Sequence, residues 1–143
     1  AVPGLAAKAV IDIMPGLRSL DDAAALIEPL ASIGYVHTAE DNDDIADWRY
    51  FRKFVDGVRT FHMHMVEVGS EFWVRHLLFR DYLRAFPAVA GEYLALKRRL
   101  AAEYNATVTP ESNMNAGYTD YKTEFVTAVE LMAREWDAGG RAS

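Results

Sequence analysis

Apolar and polar residues alternate along residues 59–68, RTFHMHMVEV, in the pattern of a β-strand that buries one face. Successive side chains of a strand leave opposite faces, so His62 and His64 share one side of it. The core-forming side chains on the other side are Phe61, Met63 and Met65. The pattern therefore predicts a half-buried strand that carries two imidazoles on the face away from its core.

A second strand-like run, WRYFRKFV, precedes this one, and the two runs together span residues 48–68. The Asp-Gly pair between them is a strong hairpin signal, because Gly57 accepts the positive φ of a two-residue turn. Near the start of the chain, AKAVIDIM (7–14) is a short β-branched run ended by Pro-Gly, the profile of a buried strand. Asp12 is the single charged residue in the middle of that run.

Four further segments carry the spacing and the end signals of helices. They are residues 19–34, 70–87, 87–104 and 118–136. Ser19 and Ser70 stand at N-cap positions, and Gly34 is expected to stop the first helix. Pro29 is expected to kink or shorten that helix. The order strand, helix, hairpin, helices predicts an α+β fold, with a small mixed β-sheet packed with helices in one domain over 1–143.

Composition and charge narrow the classes of partner. The formal net charge is −6, so the overall field disfavours nucleic acid and anionic membranes as partners. The chain has no cysteine, which excludes disulfides, thiolate metal sites and cysteine nucleophiles. No apolar stretch approaches the roughly 20 residues of a membrane span, and nothing resembles a signal peptide. We therefore expect a cytoplasmic domain, in which a local basic cluster could still bind a phosphorylated small molecule.

Asp12, His62 and His64 are the first candidates for chemistry. A carboxylate centred in a buried strand is costly unless it is paired or binds a cation. If the two strands are neighbours, one Asp and two His make a three-ligand set for a divalent cation. The alternatives are a salt bridge from Asp12 to an arginine such as Arg49 or Arg59, and two solvated histidines on an open sheet face.

Basic side chains form the second candidate group. On the hairpin they are Arg49, Arg52, Lys53 and Arg59, and on the following helix they are Arg75, Arg80 and Arg84. Arginine forks beside a cation suit a polyphosphate. The alternative is that the helical arginines pair with Asp81, Glu71 or Glu92.

Several stretches together resemble the GrpB family. They are AVPGLAAKAVIDI, RYFRK, the long central block RTFHMHMVEVGSEFWVRHLLFRDYLRAFPAVAGEYLALKRRLA, and YTDYKTEFV, in order from residue 1 to about 129. The resemblance implies a fold similar to the nucleotidyltransferase superfamily, in a family whose members also occur fused to dephospho-CoA kinases. In the family a Gly-Ser pair normally stands just before AVPGL, so we expect the chain to lack an N-terminal segment.

The resemblance also bears on the site. Superfamily members hold magnesium with a pair of carboxylates on one strand, and here the first position matches Asp12 whereas the second is Met14. Where a third carboxylate would stand, this chain has His62 and His64. The implied site is therefore a single cation of unknown identity on these three residues, which suits zinc, manganese, iron or nickel better than magnesium.

The resulting function hypothesis is a metal-assisted transferase, with nucleotidyl transfer as one possibility, that acts on a nucleotide or another anionic small molecule. A nucleoside triphosphate is a candidate cosubstrate, and one histidine could be the general base. The expected anion-binding residues are Lys8, Arg49, Arg80 and Lys122. Two alternatives stay open: a non-catalytic ligand-binding or accessory module, and a specialised-metabolism enzyme that uses the same site without a nucleotide.

Overall fold

The computed structural model describes residues 2–6, 9–38, 47–105 and 116–140, with the backbone alone for residues 104–105 and 116–121. The β-strands are β1 Ile11–Ile13, β2 Gly16–Leu17, β3 Tyr35–His37, β4 Trp48–Val55 and β5 Val58–Glu67. The helices are a 3-10 helix at Leu20–Leu26 and the α-helices α1 Ile27–Ser32, α2 Glu71–Ala85, α3 Pro87–Asn105 and α4 Ala116–Ala138. Within these ranges the chain has the predicted α+β fold.

The strands form one mixed sheet in the order β1-β5-β4-β3, and β2 also pairs with β5. β1 and β2 run parallel to β5, whereas β4 is antiparallel to both β3 and β5. β5 is therefore flanked on both sides, and β1 reaches it with Asp12 directly beside His62.

The hairpin between β4 and β5 turns where the sequence predicts. Asp56 and Gly57 both have positive φ, 51° and 76°, as a two-residue turn of type I′ requires. The pairing then shifts between Lys53 and Phe54. Phe54 pairs with Arg59 but Lys53 pairs with Phe61, so Thr60 is an extra residue on β5, which is the definition of a β-bulge.

Two compact units make up the chain. The first, which we call the sheet unit, is Ala7–His76, and the second, which we call the helical unit, comprises Ala1–Ala6 and Leu77–Ser143. α2 contributes its first residues to the sheet unit and the rest to the helical unit.

The core of the sheet unit lies on the face of the sheet that the 3-10 helix covers. Its buried members are Ala23, Tyr35, Phe51, Met63 and Met65, with Phe61, Ile13, Leu17, Leu26 and Leu30 packed against them. The alternation predicted for β5 is confirmed, because its odd residues lie in this core and its histidines lie on the opposite face.

The core of the helical unit is formed by the later helices. Its buried members are Leu78, Tyr82, Leu83, Tyr93, Val129 and Ala133, with Val2 and Leu5 from the first residues packed against them. Ser70 caps α2 as predicted, since its Oγ accepts a hydrogen bond from the backbone N–H of Trp73 at 3.3 Å. No helix in the described part of the chain is long and apolar enough to cross a membrane.

Two predictions for the first third of the chain are wrong in detail. Of the strand expected to be buried over 7–14, the described residues 9–14 form only β1, three residues long, with Ile11 55% exposed. The helix expected over 19–34 begins as a 3-10 helix, and α1 starts only at Ile27. Pro29 therefore lies in the first turn of α1, where its missing N–H has no helical partner to lose.

Candidate functional site

The sheet face away from the core carries a group of five side chains, and we call this group the histidine face. They are Asp12 of β1, His62 and His64 of β5, and Tyr50 and Arg52 of β4. The register fixes their order, because His62 stands between Asp12 on one side and Arg52 on the other, and His64 stands beside Tyr50. The predicted neighbourhood of Asp12, His62 and His64 therefore exists in the folded chain.

The side chains of Asp12 and His62 contact each other on this face. Oδ1 of Asp12 lies 3.3 Å from Nδ1 of His62, and the two side chains are 73% and 20% exposed. The expectation that Asp12 is a buried carboxylate is wrong, because β1 is paired along β5 alone in the described ranges and leaves this side chain open. The partner of Asp12 is an imidazole of β5. It is neither Arg49 nor Arg59.

His64 is held by a column of stacked rings. Its imidazole stacks on Tyr50 and Phe72, with ring centroids 4.8 and 5.9 Å away, and Phe72 in turn stacks on His76 at 3.9 Å. Burial lowers the pKa of His64 from its ordinary value, and the neighbouring His62 and His76 lower it further, against the opposing effect of Asp12. His64 is therefore a neutral imidazole near neutral pH.

Two imidazole nitrogens of this face are buried without a hydrogen-bond partner among the described residues. They are Nε2 of His62 and Nδ1 of His64. A buried polar atom without a partner costs about 1–3 kcal/mol, and groups of this kind call for an explanation. A bound molecule that supplies the missing hydrogen bonds would recover that free energy.

Arg52 completes the row opposite His62. Its Nε donates a hydrogen bond to Oγ1 of Thr38 at 3.0 Å, and its guanidinium carbon lies 6.0 Å from the centre of the Tyr50 ring. The backbone N–H of Thr38 is itself fixed by the carbonyl oxygen of Tyr50 at 2.9 Å. A cationic fork is thus oriented on the same face as the Asp12–His62 pair.

The predicted cation finds no three-ligand group in the described part of the chain. Across residues 2–6, 9–38, 47–105 and 116–140, no group of three or more His, Asp or Glu side chains could hold a metal ion. The carboxylate of Asp12 is directed to a ring nitrogen of His62. The metal site on Asp12, His62 and His64 therefore gains no support here and stays a prediction.

Arg49, the first predicted anion-binding residue, lies on the core face of the sheet opposite Met65. It lines a pocket of about 180 Å³ together with His37 and Asp21. Its Nη1 donates to the carbonyl oxygen of Trp48 at 3.2 Å. The structure therefore does not bring Arg49 to the histidine face.

The other predicted basic residues have different positions. Arg80 and Lys122 belong to the helical unit. Arg80 is engaged by Asp81, whose Oδ1 lies 2.7 Å from both its Nε and its Nη2. This hydrogen bond raises the pKa of Arg80. Lys8 lies outside the described residues.

Sequence reasoning overlooked three contributors to this region, Thr38, Tyr50 and His76, and it named Arg52 without choosing it as an anion-binding residue. Arg52 is visible in the sequence as one of four hairpin cations, but its face depends on the register of β4. The helical residue His76 lies one turn after Phe72, and its Nδ1–H donates a hydrogen bond to the backbone carbonyl oxygen of Phe72 at 2.8 Å. Its place beside His64 follows only from the way α2 leaves the end of β5.

Comparison with known proteins places these features in a family. A family model described as GrpB protein matches residues 1–131. The UPF0157 protein YqkA of Bacillus subtilis (strain 168) is 37% identical over 139 residues, which are 97% of this chain and 38% of that protein. The chain thus spans well under half of that relative.

A solved structure and a larger enzyme extend the comparison. The crystal structure of conserved protein GrpB from Enterococcus faecalis superposes with a TM-score of 0.74 at 32% identity, covering 94% of this chain and 76% of that one. A dephospho-CoA kinase of Mycobacterium leprae (strain TN) is 33% identical over 122 residues, 70% of this chain and 30% of the kinase, as a fused segment would be. With the family match covering most of its length, this chain belongs to the GrpB family.

Proposed function

We propose that the histidine face is the substrate site of a transferase that acts on an anionic small molecule, with His62 as its general base. The observation that carries the proposal is the Asp12–His62 pair, 3.3 Å from Oδ1 to Nδ1, together with the partnerless Nε2 on the other side of the same ring. A carboxylate, an imidazole and an unfilled acceptor position form the arrangement that general base catalysis needs.

The chemistry follows from the tautomer that Asp12 selects. A carboxylate accepts the Nδ1–H of a neutral imidazole, so the lone pair is left on Nε2. A substrate hydroxyl or amine that donates to Nε2 would lose its proton to His62 as its oxygen or nitrogen bonds to the electrophilic phosphorus or carbon of the donor. The bond to the leaving group breaks with its electron pair, and Asp12 stabilises the imidazolium that forms.

His64 has a different role in this scheme. Because burial keeps it neutral, its Nδ1 is available to a bound molecule as a hydrogen-bond partner that carries no charge. The stack with Tyr50 and Phe72 fixes the plane of the ring. His64 therefore orients the substrate beside the base.

The similarity to part of a dephospho-CoA kinase supports a phosphorylated or nucleotide-like molecule as the group donor. A nucleoside triphosphate is the candidate with which to begin.

The test is a turnover assay on the full-length protein with nucleoside triphosphates and a panel of hydroxyl and amine acceptors, in which release of phosphate or pyrophosphate is measured. We expect His62→Gln to lower turnover about 10²–10⁴-fold, the usual contribution of a general base. The matched control is Lys53→Gln, a neighbouring cation of β4 that lies over Tyr35 and Phe61 on the core face.

The alternative, a ligand-binding module, gives a different result in the same experiment. It predicts that a nucleotide binds and raises the melting temperature without any turnover. Full turnover by His62→Gln would contradict the general-base role.

A further inference from the structure

Arg52 is a half-buried cation whose position is fixed by neighbouring groups. The hydrogen bond from its Nε to Thr38 Oγ1 spans 3.0 Å, and Thr38 is itself anchored to the backbone of Tyr50. The side chain stands opposite His62 in the β4–β5 pairing, and directly opposite residues on one face have Cβ atoms about 4.5–5.5 Å apart.

The fork of the guanidinium has no partner among the residues that the structure describes. In the part of the chain that the structure describes, Arg52 forms no ion pair, and its one hydrogen bond uses Nε, so Nη1 and Nη2 donate to no described residue. The acidic side chain of this face, Asp12, is paired with His62. Arginine remains charged at all physiological pH values, and its fork matches the two oxygens of a carboxylate or a phosphate.

The free positions of the face are complementary to each other. Arg52 offers donors and a positive charge, whereas the partnerless Nε2 of His62 is an acceptor when Asp12 holds the proton on Nδ1. The two stand on adjacent strands at the same level of the sheet. One small molecule that reaches the buried Nε2 of His62 could therefore contact Arg52 as well.

We propose that Arg52, oriented by Thr38, binds the anionic group of the acceptor substrate. The acceptor is then a small molecule that carries a carboxylate or phosphate within a few bonds of the hydroxyl or amine that meets His62. This assignment rests on the proposed function of the histidine face and defines its acceptor class. It replaces Arg49, which the sequence favours but which lies on the core face.

Binding measurements on the full chain test this assignment without requiring turnover. The probes are glycerol 3-phosphate, 3-hydroxybutyrate and glycerol, which combine hydroxyls with a phosphate, with a carboxylate and with no charge, and titrations are followed by calorimetry and by NMR. We expect at least one of the two anions to bind and glycerol to bind far more weakly. Arg52→Gln should lower the affinity for the anion by about ten- to hundredfold, because charge-assisted hydrogen bonds are lost.

Three further variants separate the roles of charge, fork and position. Lys53→Gln, on the same strand but on the other face, should leave the affinity within about twofold. Arg52→Lys keeps the charge without the fork and should restore part of the affinity. Thr38→Val releases the guanidinium and should weaken binding less than Arg52→Gln does.

The possible failures are distinguishable. Anion binding that survives Arg52→Gln, that depends on Arg49 instead, or that is absent for both anions overturns this assignment. A different result would separate the two proposals. If anion binding requires Arg52 but His62→Gln keeps full turnover, Arg52 remains the anion site and the general-base role of His62 is wrong.

Discussion

Oδ1 of Asp12 and Nδ1 of His62 lie 3.3 Å apart across two parallel strands, an open carboxylate against a half-buried ring. Exposed ion pairs of this kind contribute little to stability, typically 0.2–1 kcal/mol, whereas they determine which ring nitrogen carries the proton. The pair therefore matters for the chemistry of the histidine face more than for the fold.

The first prediction concerns the tautomer of His62. At a pH at which the ring is neutral, the single ring proton of wild-type His62 should reside on Nδ1. Asp12→Ala removes the acceptor, so the Nε2–H form should gain population. Two-bond ¹⁵N–¹H correlation spectra of the ring nitrogens read this directly, and identical tautomer patterns in both proteins would remove the argument for His62 as a base.

A second prediction follows from the lowered pKa of His64. Its folded-state pKa lies below the ordinary value of 6.5, so above that pH the imidazole is neutral in both states and contributes no pH dependence. As the pH falls from 6.5 towards the folded-state pKa, the unfolded chain binds the proton first, and the free energy of unfolding decreases.

His64→Gln should remove that part of the acid sensitivity. Urea unfolding of both proteins from about pH 8 to about pH 5 gives the comparison, and the difference between their curves isolates His64. The result against the prediction is a variant whose free energy of unfolding falls with acid as steeply as that of the wild type.

A third prediction addresses the core face of β5. Met65 is 4% exposed in the sheet core, so Met65→Ala should lower the free energy of unfolding by about 2–5 kcal/mol. Val58 on the same strand is 64% exposed, and Val58→Ala should change the free energy of unfolding by less than about 0.5 kcal/mol. Denaturant midpoints compare the two, and equal effects would mean that the faces of β5 are misassigned.

The fourth prediction concerns the bulge at Thr60. If this residue is deleted, the continuous ladder from Asp56-Gly57 pairs Phe54 with Arg59 and then Lys53 with Phe61, so Phe51, which is 0% exposed, stays opposite Met63 in the core. The loss of a buried Phe costs about 3–5 kcal/mol, and we expect the deletion to lower the free energy of unfolding by clearly less than that amount.

Thr60→Ala is the matched control for the deletion, because it retains the extra residue and loses only a hydroxyl bonded to the carbonyl oxygen of Val58 at 2.9 Å. We expect about 1 kcal/mol for this substitution. A deletion variant destabilised by about 3–5 kcal/mol, as if Phe51 had left the core, would contradict the register described for β4 and β5.

Local signals in the sequence were sufficient for several elements. Asp56-Gly57 determines the turn, Ser70 the start of α2, and the alternation in RTFHMHMVEV the two faces of β5. These features depend on neighbouring residues alone, through backbone sterics, capping and period-two burial. The nearness of Asp12 to the two histidines was predicted only on condition that their strands are neighbours, and β1 meets that condition.

The sequence does not show which face of β4 is buried, because both faces of this strand carry aromatic residues. Trp48 and Tyr50 compete with Phe51 for the core, so alternation does not decide between them. An unbroken hairpin would set Arg49 opposite His64 and Arg52 opposite Phe61. The bulge at Thr60 shifts the pairing by one residue, which buries Phe51 against Met63 and moves Arg52 to His62.

The sequence by itself thus determined the elements, the turn, and which residues of β5 are apolar and which are histidines. Only the tertiary structure decided which arginine shares the face of those histidines. The physical reason is that one inserted residue reverses every side chain beyond it, and whether the insertion is favourable depends on the packing of Phe51 between the sheet and the 3-10 helix.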